Sequence, residues 1–227
     1  MRRRVIVLAM CSVSLSMLST FPPAARAANG VQSIGACRTI DKSGSYVLAK
    51  NLDASAGDCL VITAGFVTID LAGYTITGGG TGSGISNSSN TIFDITVMNG
   101  TVTNFENGVA LQGRGHVVDG VRAVNNGGMG ISLTSPGLGP GDNQVRNSNG
   151  SRNGTFGIAV SSLFGGGTRG GDSVIGNVAN GNGSGGIFVR CPSTVLNNVA
   201  SQNGDPALPT NQISAIGCTR LGNSPEP

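Results

Sequence analysis

Asn126-Gly127-Gly128-Met129-Gly130-Ile131-Ser132-Leu133, Asn153-Gly154-Thr155-Phe156-Gly157-Ile158-Ala159-Val160 and Asn182-Gly183-Ser184-Gly185-Gly186-Ile187-Phe188-Val189 are three copies of one phrase, Asn-Gly-x-x-Gly-Ile-x-apolar. A shortened copy, Asn107-Gly108-Val109-Ala110-Leu111, comes before them, and Gly84-Ile85 before that. Counted at the apolar residue after the glycine, the anchors fall at 85, 109, 131, 158 and 187, with steps of 24, 22, 27 and 29. The two longer steps contain the insertions Ser135 to Gly141 and Leu163 to Gly171. Without them the unit is about 22 residues, the length scale of a solenoid repeat.

Working outward from the asparagine, the position eight before it is Val118, Val145, Val174 and Val195. After it, Val109, Ile131, Ile158 and Ile187 form one apolar column, and Leu111, Leu133, Val160 and Val189 form a second. Apolar-x-apolar pieces of this length have strand periodicity, and no stretch after residue 27 keeps a helical period. Asn and Gly between them tolerate left-handed backbone and mark corners. Strands this short pair with the same strand of the next coil, about 4.8 Å along an axis, so like residues stack on like.

The repeat resembles the parallel β-helix of the pectin-lyase-like superfamily. Val67-Thr68-Ile69-Asp70-Leu71-Ala72-Gly73-Tyr74-Thr75-Ile76 is similar to the coil found near the start of such proteins, and the Asn-Gly-x-x-Gly-Ile units are similar to its generic repeats. The likeness runs over roughly residues 37–204. It implies an all-β, single-domain right-handed parallel β-helix of about six to seven coils with capped ends. The expected organisation is a removed signal peptide at 1–27, an N-terminal cap and first strands at 28–60, coils at 61–204, a C-terminal cap at 205–220 and a loose tail at 221–227.

The first 27 residues carry a positive start (Arg2, Arg3, Arg4), an apolar stretch from Val5 to Leu18 and an Ala25-Arg26-Ala27 cleavage site, which is the pattern of a secretory leader. The apolar stretch is too short for a membrane span. Arg2, Arg3, Arg4 and Arg26 are four of the 14 Lys and Arg, so the mature chain holds ten against eleven Asp and Glu, a net −1. The precursor's pI of about 8.8 is therefore a property of the leader, and a basic nucleic-acid footprint is excluded. Charged residues make up 11% and glycines number 38, far from the composition of an ordinary α/β enzyme. Export makes disulfides chemically reasonable. Of three pairings open to Cys37, Cys59, Cys191 and Cys218, their two-and-two distribution favours Cys37–Cys59 and Cys191–Cys218, each bracing one end. With no C-x-x-C pair and His116 the single histidine, the cysteines are read as disulfides and no metal site is assigned.

The resemblance also sets the chemistry to look for, since uronan lyases gather carboxylates, often around calcium, and use a basic residue to remove a ring proton. No two acids are adjacent here. Asp142 and Asp172 each close an inserted loop and are the candidates for metal or neutralising groups, with Arg146 or Arg169 as base. Asp119 and Arg146 share a column, which predicts an inter-coil ion pair. His116 follows Gly113-Arg114-Gly115 and reads as a turn or surface histidine, with no G-x-S-x-G elbow elsewhere. Between the two inward columns lie Ala110, Ser132, Ala159 and Phe188, a strip of small side chains ending in an aromatic, with Phe164 and Arg169 in the loop beside it.

These features rank three readings. The first is an exported, periplasmic or extracellular, polysaccharide-binding module with little or no catalysis, using Ser132, Ala159, Phe164, Arg169 and Phe188 and needing no cofactor. The second is a polysaccharide lyase or epimerase on uronic-acid polymers, in which calcium would enter. The third is a structural or adhesive solenoid. The scattered acids place the lyase last, because deprotonating an anionic sugar needs concentrated charge in a cleft.

Overall fold

The computed structural model describes residues 30–87, 89–137, 139–162, 170–204 and 212–225, and all further statements concern these. They form an all-β parallel solenoid of about seven turns, without a helix. Each complete coil has three faces. Face one holds Val67–Asp70, the first half of Ile95–Thr103, the first half of Val117–Val124, Gln144–Arg146, Ser173–Ile175 and Thr194–Leu196. Face two holds Thr75–Thr77, the second halves of the two long strands, Val178–Asn180 and Val199–Ser201. Face three is an eight-stranded sheet that includes Ser83–Asn87, Asn107–Gln112, Ile131–Ser135, Phe156–Ser162 and Gly185–Val189. Every pairing between strands is parallel and joins one coil to the next.

The register is the one the repeat predicts. Val118 pairs with Val145, Val145 with Val174 and Val174 with Val195. On face three Ile85, Val109, Ile131, Ile158 and Ile187 stack in succession. All of these side chains are buried, and together they form one continuous core. Stacked like this, each branched side chain meets its copy about 4.8 Å away, which fills the interior without voids. Toward the C-terminal end face two carries smaller residues, from Ile76 and Val102 to Ala123, Gly150, Ala179 and Ala200. There the walls close in, since a Cβ at Gly150 would stand 2.3 Å from the Gly157 carbonyl oxygen.

A residue with positive φ turns most corners, and in most coils the next residue has a buried polar side chain, with Ile95, Phe105 and Val121 among the exceptions. At the corner between faces one and two the positive-φ column is Asn99, Gly120, Asn147, Gly176, Asn197 and Gly222, with φ between 51° and 67°. Asn and Gly alternate here because they are the residues that visit this region at least cost. At the corner between faces two and three, Asn126, Asn153, Asn182 and Asn203 form a ladder that ends on the Gln212 side chain. The Asn153 side-chain oxygen accepts the Asn126 backbone N–H at 3.0 Å and the Asn126 side-chain N–H at 3.0 Å. The Asn153 side-chain nitrogen donates to the Ala123 carbonyl at 3.0 Å. Ser148, Asn177, Asn198 and Asn223 repeat the device at the first corner. The wide N-terminal half ends the second ladder on Phe105, a buried aromatic whose backbone N–H donates to Asn126.

The disulfides are Cys37–Cys59 and Cys191–Cys218, as the cysteine distribution favours. They lie near the two ends. Their sequence separations of 22 and 27 are one coil each, so each ties a coil to its neighbour. The expected leader and part of the C-terminal cap, 205–211, lie outside the described residues.

A fully buried ladder rung is costly to remove because its partners lose every hydrogen bond at once. Replacing Asn153 with Ala leaves the Asn126 amide and the Ala123 carbonyl unpaired at about 1–3 kcal/mol each. Urea denaturation of Asn153→Ala is expected to show a loss of about 3 kcal/mol or more. Arg152→Asn, at the neighbouring exposed corner position with φ of 57°, is expected to stay within about 0.5 kcal/mol of the parent.

Candidate functional site

The outer surface of face three is set by the same register. Ser132 pairs with Ala159 and Ala159 with Phe188, so the strip read from the sequence is a contiguous row across three coils. Thr134 pairs with Ser161, forming a row of hydroxyls beside it. Alternation breaks at the glycine before each isoleucine, where Gly130 and Gly157 are packed as tightly as the buried Ile131 and Ile158, and Met129 and Phe156 come out on the outer surface. Met129, Ser132, Thr134, Phe156, Ala159, Ser161 and Phe188 line one shallow recess of about 210 Å³. Phe156 and Phe188 stand as a tilted pair, with ring centroids 5.8 Å apart and planes at 51°. Ala159, opposite Phe188 in register, is buried. Ser132, Ala159 and Phe188 are thus brought together, while Phe164 and Arg169 lie outside the described residues.

Met129 and Phe156 were not singled out by sequence reasoning, which assigned the residues between the repeat asparagine and the glycine to the turn. The strand Phe156–Ser162 begins before its glycine. The signal was present in the second variable position of the phrase, which is Met, Phe and Gly in successive copies.

Of the acids and arginines considered for catalysis, Asp142, Asp172 and Arg146 are among the described residues and stand on a corner, in the core and on face one. Asp119 and Arg146 are aligned on face one, and the Arg146 Nε donates to the Asp119 carboxylate at 3.0 Å. Both side chains are substantially exposed, so the pair contributes about 0–1 kcal/mol. Asp142 is exposed at the corner between faces three and one, with φ of 53°. Asp172 is one register position further on, level with Asn143 instead of Asp142, and only 3% exposed. The insertions differ in length, which hid this offset in the sequence. Among the described residues no three His, Cys, Asp or Glu side chains gather to hold a metal ion.

Asp172 belongs to a third ladder, that of the face three to face one corner. The His116 backbone N–H donates to the Asn143 side-chain oxygen at 3.0 Å, the Asn143 N–H to Asp172 Oδ1 at 3.0 Å, and the Asp172 N–H to Ser193 Oγ at 3.3 Å. His116 heads this ladder and is 0% exposed, so of the turn or surface position expected the turn holds and the surface does not. Its Nδ1 accepts the Ile95 N–H at 3.2 Å, which places the ring proton on Nε2, 3.1 Å from the Gln112 carbonyl. Burial lowers its pKa, because the cation would lose its hydration. Burial raises the Asp172 carboxyl from 3.8 to about 6, against the opposing effect of its hydrogen bonds from Asn143.

Comparison of the chain with protein-family models, curated proteins and solved structures finds no match. Its fold class therefore rests on the strand register described above. No helix among the described residues is long and apolar enough to cross a membrane.

The Asp172 carboxyl gives a pH dependence with a definite sign. A carboxyl with a raised folded pKa contributes stability that is present below 3.8 and lost as pH rises through about 6. Asp172→Asn keeps a side-chain oxygen to accept the Asn143 amide and removes the buried charge. Its melting temperature is expected to match the parent near pH 4 and to exceed it at pH 8, by the equivalent of about 3 kcal/mol. Equal melting temperatures at both pH values would mean that Asp172 is fully solvated when ionised.

Proposed function

We propose that this chain is an exported β-helix protein of the pectin-lyase-like kind that binds polysaccharide along face three without strong catalysis. The observation carrying this reading is the Phe156–Phe188 pair set into an otherwise small, hydroxyl-bearing strip. An aromatic surface offers area for the C–H face of a sugar ring at little entropic cost. The Ser132, Thr134 and Ser161 hydroxyls along the same recess can both donate to and accept from sugar hydroxyls. The recess crosses three successive strands of face three, so an extended glycan laid across it meets residues of each coil in turn. A shallow, largely preformed site of this kind needs little rearrangement on binding.

Two features support the remaining parts of the reading. The coil-to-coil disulfides agree with an oxidising compartment. Separation of Asp142, Asp172 and Arg146 onto a corner, a buried ladder and a different face argues against a concentrated lyase centre.

The test is retention of the mature chain on immobilised neutral and acidic polysaccharides, with the absorbance of unsaturated uronate followed in parallel. Retention without product is expected. Phe188→Ala and Phe156→Ala are each expected to weaken retention about tenfold, the loss of roughly 1.4 kcal/mol typical of an aromatic anchor. Formation of unsaturated product would favour the lyase reading, and unchanged retention in both variants would remove face three as the binding surface.

A further inference from the structure

A second recess, of about 310 Å³, lies at the corner between faces three and one and is lined by Phe93, Asp94, Arg114, Gly115 and Asp142. Its geometry follows from one positive-φ column. Asp94, Gly115, Asp142 and Gly171 occupy the same corner position in successive coils, with φ of 56°, 68°, 53° and 80°. Carboxylates thus alternate with glycines, and Asp94 and Asp142 stand two coils, roughly 10 Å, apart along the axis. The glycine between them leaves room for the Asp94 carboxylate, since a Cβ at Gly115 would lie 2.3 Å from Asp94 Oδ1. Phe93, beside this column, leaves 41% of its surface to solvent, and Phe66, 70% exposed, is aligned with Asp94 in the preceding coil.

Arg114 completes the set. Its guanidinium lies against the inserted loop, where a Cβ at Gly139 would stand 3.2 Å from Nη1. Its Nε is buried without a hydrogen-bond partner, and Arg114 forms an ion pair with neither Asp94 nor Asp142, although all three line one recess. Asp94 and Asp142 are exposed and Arg114 is half-buried, so the two carboxylates and the guanidinium that line the recess are accessible to a ligand. The acceptors are two carboxylates, the donors one guanidinium, and beside them is an open aromatic face.

We propose that this corner is a binding site for a neutral hexose unit of a glycan. The C–H face of the ring rests on Phe93, ring hydroxyls donate to the Asp94 and Asp142 carboxylates, and Arg114 donates to a ring or hydroxyl oxygen. With two negative groups and one positive, the site carries a formal −1, which disfavours a uronate and selects a neutral sugar. The choice of a sugar rests on the polysaccharide-binding reading above, and it narrows the ligand class from any polysaccharide to a neutral one.

The experiment is titration of the isotope-labelled full chain with cellohexaose, mannohexaose, maltohexaose and hexagalacturonate, following the Gly115 amide and Arg114 Nε–H resonances alongside calorimetry. At least one neutral oligomer is expected to shift both resonances and hexagalacturonate neither. Asp94→Asn and Asp142→Asn remove charge at positions where Asn accepts positive φ, so their melting temperatures are expected to stay unchanged. Each is expected to weaken binding about tenfold, the share of a hydrogen bond to a charged group. Phe188→Ala should leave these corner shifts intact. If no neutral oligomer moves them, or if the Asp→Asn variants bind as well as the parent, the corner site is wrong, and the face-three reading is decided separately by retention and its Phe variants. If the uronate binds and the variants bind it more tightly, the ligand class is acidic and the inference is overturned.

Discussion

A chain that turns three times in each coil leaves a backbone amide facing inward after every turn, where no strand can pair with it. Such a group must find a partner, because a buried unpaired N–H costs as much as the hydrogen bond it lacks. Here the partner is the side chain of the equivalent residue one coil away. Asn serves best, since its oxygen accepts two N–H groups from one neighbouring coil while its nitrogen donates to a carbonyl of that same coil and to the asparagine oxygen of the coil on the other side. The arrangement works only when every coil puts a suitable residue at the same place, so the ladder enforces register as strongly as the apolar columns do.

Register in turn distributes chemistry over the surface. Positions that face outward are stacked as strictly as those in the core, so a change in one coil becomes a feature of the whole face. Small residues along face three keep it flat, and Phe156 and Phe188 interrupt it where two coils meet. At the third corner the positive-φ column admits Asp as well as Gly, which sets carboxylates at alternate coils without straining the backbone. The ladder beneath that column departs from asparagine, using His116, Asn143, Asp172 and Ser193. Two titratable groups are therefore built into the core beside a solvent-facing recess, His116 held neutral and Asp172 biased toward its protonated form.

Legibility differed between these layers for physical reasons. The valine and isoleucine columns could be read because a stacked core demands the same residue type at the same interval. The Asp119–Arg146 pair could be read for the same reason, being one coil apart within regular strands. Asp142 and Asp172 could not be aligned, since insertions of different length separate them and an error of one position exchanges an exposed corner for a buried rung. His116 was read as a turn or surface residue because glycines precede it, yet a corner in a solenoid has an inner side, and the residue after the left-handed one points into it. Phe156 was absorbed into a turn although its strand already begins there, and Met129 lies before the strand Ile131–Ser135 yet still reaches the same recess.

The sequence by itself determined the period, the strand type and the inward columns, because each is dictated by repetition along the chain, whereas the distribution of the cysteines only favoured one of three pairings. Tertiary structure alone decided which side chains share a recess. Phe156 with Phe188, and Phe93 with Asp94, Arg114 and Asp142, come together through lateral packing of coils whose lengths differ. Distances across an axis depend on how each insertion is looped out, and that is settled by packing rather than by spacing along the chain.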